Sequence, residues 1–115
     1  MITYYLTLFI LLTFGHFLAD YPLQGDFLAR AKNLANPIAG VPWYQAMAAH
    51  CGIHAGFVFL ITGSFLCTGI EFVFHFLIDV SKCEGKISYN IDQAMHVGTK
   101  IFLIILLLYP QFLII

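Results

Sequence analysis

Glu71, His75 and Asp79 stand four residues apart in a run otherwise made of Phe, Val, Leu and Ile. That spacing stacks side chains on one face of an α-helix, giving a polar stripe roughly 12 Å long on an apolar rod. The same spacing recurs at His16 and Asp20, at His50 and His54, and at Asp92 and His96, and it takes in all five histidines of the chain. Ionisable groups among apolar residues are costly unless partnered. Imidazole nitrogens and carboxylate oxygens on facing helices are how helical bundles build metal sites. A set without thiolate suits zinc first, with iron or manganese as alternatives.

The expected ligands are His16, Asp20, His50, His54, His75, Asp79 and His96. They exceed what one tetrahedral ion needs, so one ion with outer hydrogen-bond partners or two ions are expected. Asp92 and Glu71 are the expected catalytic pair, orienting histidines or accepting a proton. Lys100 continues the Asp92–His96 stripe by four more residues, and with Lys82 it would suit an anionic group such as phosphate. The bland readings differ. A lone buried His–Asp pair reads as an interhelical hydrogen bond, Glu71 as a satisfied core acid, and Lys100 as a cation that snorkels or neutralises an acid. Four pairs at one depth favour the metal reading.

The elements that position these residues follow from composition. Of 115 residues, 61% are hydrophobic and only 10% charged, against about 25% charged in a soluble domain. The fold class is therefore all-α, a single integral membrane domain in the form of a four-helix transmembrane bundle. Helices are expected at about 2–20, 43–62, 65–82 and 91–115, with Tyr109-Pro110 near the far end of the last. A short interfacial helix, Phe27 to Leu34 with Asp26 as its N-cap, is expected between the first two. Tyr21-Pro22 ends the first helix, which reads as a retained span rather than a signal peptide because no positive n-region precedes it. Cys51, Cys67 and Cys83 lack any CxxC spacing and read as apolar filler. A net charge of −1 without a basic block excludes nucleic acid as a partner.

Arg30 and Lys32 follow the first helix, and Lys82 and Lys86 border the loop after the third. The positive-inside rule then places both loops in the cytoplasm and both termini in the periplasm of an inner membrane. On that count all four polar pairs fall within roughly 15 Å of the cytoplasmic interface, at 1.5 Å per residue.

The segments His16-Phe-Leu-Ala-Asp20-Tyr-Pro-Leu-Gln24-Gly-Asp26-Phe-Leu, His50-x3-His54, His75-x3-Asp79-x2-Lys82 and Asp92-Gln93-x2-His96 together resemble a family of small bacterial and phage membrane proteins. That family is catalogued as a domain of unknown function. The resemblance spans nearly the whole chain and implies that Gln24, Asp26, Lys82 and Gln93 belong to the pattern, so Gln24 and Gln93 join Lys82 and Lys100 as expected substrate contacts. More loosely, the arrangement is similar to predicted membrane-bound metal-dependent hydrolases. Other intramembrane chemistries fit poorly. The chain has no H-E-x-x-H, no G-x-S-x-G and a single arginine, Arg30.

The expected function is metal-dependent hydrolysis at the cytoplasmic side of the membrane, acting on a lipid-linked or phosphorylated substrate. The competing expectation is a non-catalytic membrane protein that binds membrane lipid and a host or partner membrane protein, or itself as a homo-oligomer. In that case the His–Asp pairs only tie helices together.

Overall fold

The structure is a computed structural model that describes residues 1–109. Five α-helices follow one another: α1 (Ile2–Asp20), α2 (Gly25–Ala31), α3 (Trp43–Thr62), α4 (Phe65–Cys83) and α5 (Tyr89–Leu108). No strand occurs among the described residues. The expected continuation of the last helix through Pro110 to residue 115 lies outside them.

Local chemistry sets most boundaries. The Ser64 hydroxyl accepts from the Cys67 N–H at 3.2 Å and starts α4, and the Ser88 hydroxyl accepts from the Ile91 N–H at 3.2 Å and starts α5. The Ser88 cap moves the start of α5 to Tyr89, ahead of the expected start at about residue 91. Gly63 closes α3 at φ +68°, the left-handed conformation that glycine adopts without steric cost, and lets α4 reverse within two residues. The short helix departs from expectation. Gln24 rather than Asp26 is its N-cap, no side chain caps it, and it stops at Ala31 instead of Leu34. Ala31 is fully buried, and the next residue, Lys32, turns inward to reach Asp79. A tertiary contact ends this helix.

The four long helices form a ring in which α1 and α4 each pack against both α3 and α5, with α2 laid on α3. The short α3–α4 and α4–α5 connections make those neighbours antiparallel. Gly15 sits where α1 meets α3, and a Cβ there would lie 3.4 Å from the Phe57 Cβ. The two helices approach closely here, one residue from His16.

The bundle has two unlike halves. Away from the α1–α3 and α4–α5 connections the interior is dry, built on Leu12, Val58, Cys67 and Leu103. The other half buries His, Asp, Glu and Lys instead. The exterior reverses the usual pattern of a soluble protein: Phe14, Leu60, Phe65, Val73, Leu77 and Ile101 are exposed. Helices α1, α3 and α5 are long and apolar enough to cross a membrane. Helix α4 has 19 residues but carries Glu71, Asp79 and Lys82.

Candidate metal centre

Each long helix brings polar residues to the same end of the bundle. The last turns of α1 carry His16 and Asp20, the second and third turns of α3 His50 and His54, the second half of α4 His75 and Asp79, and the start of α5 Asp92 and His96. All five imidazoles are buried, and all five present Nε2 to carboxylate oxygen.

Asp20 and Asp79 stand at the middle. Asp20 Oδ1 lies 2.9 Å from His54 Nε2, 3.3 Å from His50 Nε2 and 3.9 Å from His75 Nε2. His50 and His75 face each other, Nε2 to Nε2, at 3.2 Å. These are four of the six edges joining the four atoms. A tetrahedral site with bonds of about 2.0–2.1 Å has edges of about 3.3–3.4 Å, so the group already has the size of a coordination shell. A second group comprises Asp79, Asp92 and His96, with His96 Nε2 3.0 Å from Asp79 Oδ1 and 3.4 Å from Asp92 Oδ1. In each group, and in the set His16, His75 and His96 between them, the candidate ligand atoms lie within 4.8 Å of one another.

Several buried atoms in this half have no hydrogen-bond partner: Nδ1 of His16, His50 and His54, Oε2 of Glu71, Oε1 of Gln24 and Oδ1 of Asp92. An unpaired buried polar atom is costly, and Asp92 Oδ1 is one of the atoms facing His96 in the second group. The donor set and its spacing fit a divalent cation such as zinc, iron or manganese.

Around this shell lies an outer layer. His75 Nδ1 is 3.3 Å from Glu71 Oε1, the carboxylate–histidine relation that fixes ring orientation at metal sites. Lys100, buried, pairs with Glu71. Lys100, expected as a contact for an anionic group, reaches an acid in the bundle interior. The Gln93 amide donates to Asp20 Oδ2 at 2.9 Å and Asp92 Oδ2 at 3.1 Å, while its Oε1 lies 3.1 Å from His16 Nε2. Gln93 therefore braces the carboxylates of both groups. Gln24 donates to the Asp20 backbone carbonyl at 3.0 Å. Asp26 is exposed in the first turn of α2 and enters none of these groups.

A cavity of about 260 Å³ opens between the α2 segment and the last turns of α4, lined in part by Gln24, Lys32, Asn33, Asp79, Lys82 and Cys83. Lys32 is buried there and pairs with Asp79. Lys82 Nζ is 3.7 Å from Asp92 Oδ2 and 5.0 Å from the centre of the Tyr89 ring. Lys32 is the residue that sequence reasoning misses. In the linear chain it reads only as a basic charge of the expected short helix that orients the topology, because no periodicity links the segment between the first two long helices to α4. Cys83 lines the cavity and Cys51 is buried beside the cluster, both as free thiols.

Residues 8–113 match a family model described as a protein of unknown function (DUF3307). No curated protein and no solved structure matches the chain.

Proposed function

The chain belongs to the DUF3307 family of proteins of unknown function, and from that premise we propose that it is a four-span membrane protein with a metal centre that acts as a metal-dependent hydrolase. The observation that carries this reading is the convergence of five Nε2 atoms with the carboxylates of Asp20, Asp79 and Asp92 from four helices. Helix α4 is the fourth span. Its Glu71, His75 and Asp79 turn inward while Phe65, Val73 and Leu77 face out, which meets the demand that intramembrane charges be paired inside a bundle.

The two groups divide the work. Asp20, His50, His54 and His75 make a four-ligand shell with no position left over, the pattern of a structural ion. Asp79, Asp92 and His96 supply three ligands beside the cavity, the pattern that leaves a coordination position for water or substrate. When bound there, an ion supplies Lewis acidity and a water-derived nucleophile at neutral pH. Asp79 and Asp92 hold the site, Gln93 couples it to Asp20, Glu71 orients His75, and the cavity admits a lipid-linked or phosphorylated substrate from the membrane face. His16 stands between the groups, with Nε2 3.3 Å from Asp20 Oδ2.

One observation favours the non-catalytic reading, in which the cluster only binds helices together: three acids of the cluster already have an ammonium partner, Lys100 on Glu71, Lys32 on Asp79 and Lys82 on Asp92. Elemental analysis of protein purified without a histidine tag separates the two. One to two equivalents of zinc, iron or manganese per chain are expected, removable by chelator. A metal-free protein that keeps its thermal stability after chelator and after added metal sinks the hydrolase reading.

The two loops flanking the site carry Arg30, Lys32, Lys82 and Lys86, so we place the site at the cytoplasmic face of the inner membrane with both termini in the periplasm. Reporter fusions near Gly85 are expected to behave as cytoplasmic and fusions at residue 115 as periplasmic. The reverse pattern would move the site to the other face.

A further inference from the structure

We infer that the cavity between α2 and α4 is a binding site for a phosphoryl group, and that it becomes competent when a cation occupies the Asp79–Asp92–His96 position; this rests on the metal reading above. As the side chains stand, each ammonium of the lining has a carboxylate partner: Lys32 is paired with Asp79, which lines the cavity with it, and Lys82 lies 3.7 Å from Asp92, which stands behind the lining. Ammonium groups already paired with carboxylates have little to offer an anion. A divalent ion on Asp79 and Asp92 takes over their negative charge and repels both ammoniums. The flexible four-carbon stems of the lysines let the head groups turn into the cavity, where a phosphoryl group can accept from both.

Two features select this ligand class. The cavity holds about 260 Å³, less than the roughly 300–1,000 Å³ of sites for whole drug-sized ligands, so it takes a headgroup-sized fragment. Gln24 Oε1 lines the same region, buried and without a donor, ready to accept from a phosphate hydroxyl or a neighbouring alcohol. The ligand is thus an anion with a hydroxyl, either free phosphate or the phosphomonoester head of a lipid. Lys32 is its main contact and Lys82 its second.

Linkage makes this testable without any turnover, because a cation that raises anion affinity must have its own affinity raised by the same factor. The full-length untagged chain in detergent would be titrated with Mn²⁺ alone, then with inorganic phosphate, with phosphatidic acid in mixed micelles, and with phosphatidylcholine as control. The expected result is about tenfold or greater tightening of phosphate or phosphatidic acid binding by Mn²⁺, with the reciprocal tightening of Mn²⁺, a coupling within the usual range. Response to both probes identifies the phosphoryl group itself as the ligand, and response to phosphatidic acid alone identifies a lipid headgroup. Lys32→Gln should keep Mn²⁺ uptake, since it removes a competitor for Asp79, yet lose the coupling. Lys82→Gln, at a half-exposed side chain, should weaken it. If Mn²⁺ binds but neither anion is affected, or if both variants couple as wild type does, this inference falls and the metal reading stands. Failure of the chelator-treated protein to take up either Mn²⁺ or Zn²⁺ overturns both.

Discussion

His75→Gln is expected to yield a folded protein that has lost the ion of the Asp20–His50–His54–His75 group. The introduced amide can still hydrogen-bond to Glu71 and to neighbouring nitrogens, but it is a poor ligand for zinc, iron or manganese. Loss of even an outer-shell partner costs about 10–100-fold in metal affinity, so loss of one of four ligands should exceed that. His75→Ala goes further, because it also leaves Glu71 Oε1 and His50 Nε2 without the neighbour each now has at 3.3 Å and 3.2 Å. If the cluster only ties helices together, His75→Gln should be nearly neutral, since interhelical hydrogen bonds in membranes average about 0.6 kcal/mol. Metal content and melting temperature, measured on both variants beside wild type, decide the matter. A His75→Gln protein with full metal content removes His75 from the ligand set, and the same result at His50 and His96 would defeat the metal centre.

Lys100→Met should be strongly destabilising. Glu71 and Lys100 are both buried, each pairs with the other, and Glu71 Oε2 has no further partner. Removing one member of such a pair costs about 3–5 kcal/mol because the other charge is left buried. That is a large part of the roughly 5–15 kcal/mol that stabilises a typical protein. Glu71→Gln should cost a similar amount and also loosen the His75 ring, lowering metal affinity. The double variant Glu71→Gln/Lys100→Met should recover most of the stability but not the metal affinity, since it removes both charges yet leaves no carboxylate on His75 Nδ1. Denaturation in detergent with parallel metal titration reads both effects. A Lys100→Met protein as stable as wild type would show that the pair is not what holds this part of the bundle.

What the linear chain determined by itself is what repeats along a helix. Four-residue spacing was enough to place His16 with Asp20, His50 with His54, Glu71 with His75 and Asp79, and Asp92 with His96, each set on one face. Apolar runs between turn residues marked the long helices, and Ser88 shifted the start of α5 by only a few positions. Convergence of the four stripes also followed, because costly polar faces in an apolar chain must meet one another. The partners across helices did not follow. That Lys100 pairs with Glu71, that Gln93 spans Asp20 and Asp92, that Asp92 stands among the candidate ligand atoms, and that Lys32 leaves a short helix to reach Asp79 all depend on the rotation and relative height of packed helices. Those are fixed by close approaches such as Gly15 against Phe57 and by the reversal at Gly63, which set geometry between segments rather than within one. Periodicity reports the face a residue occupies, and only packing decides which atom of another helix that face will meet.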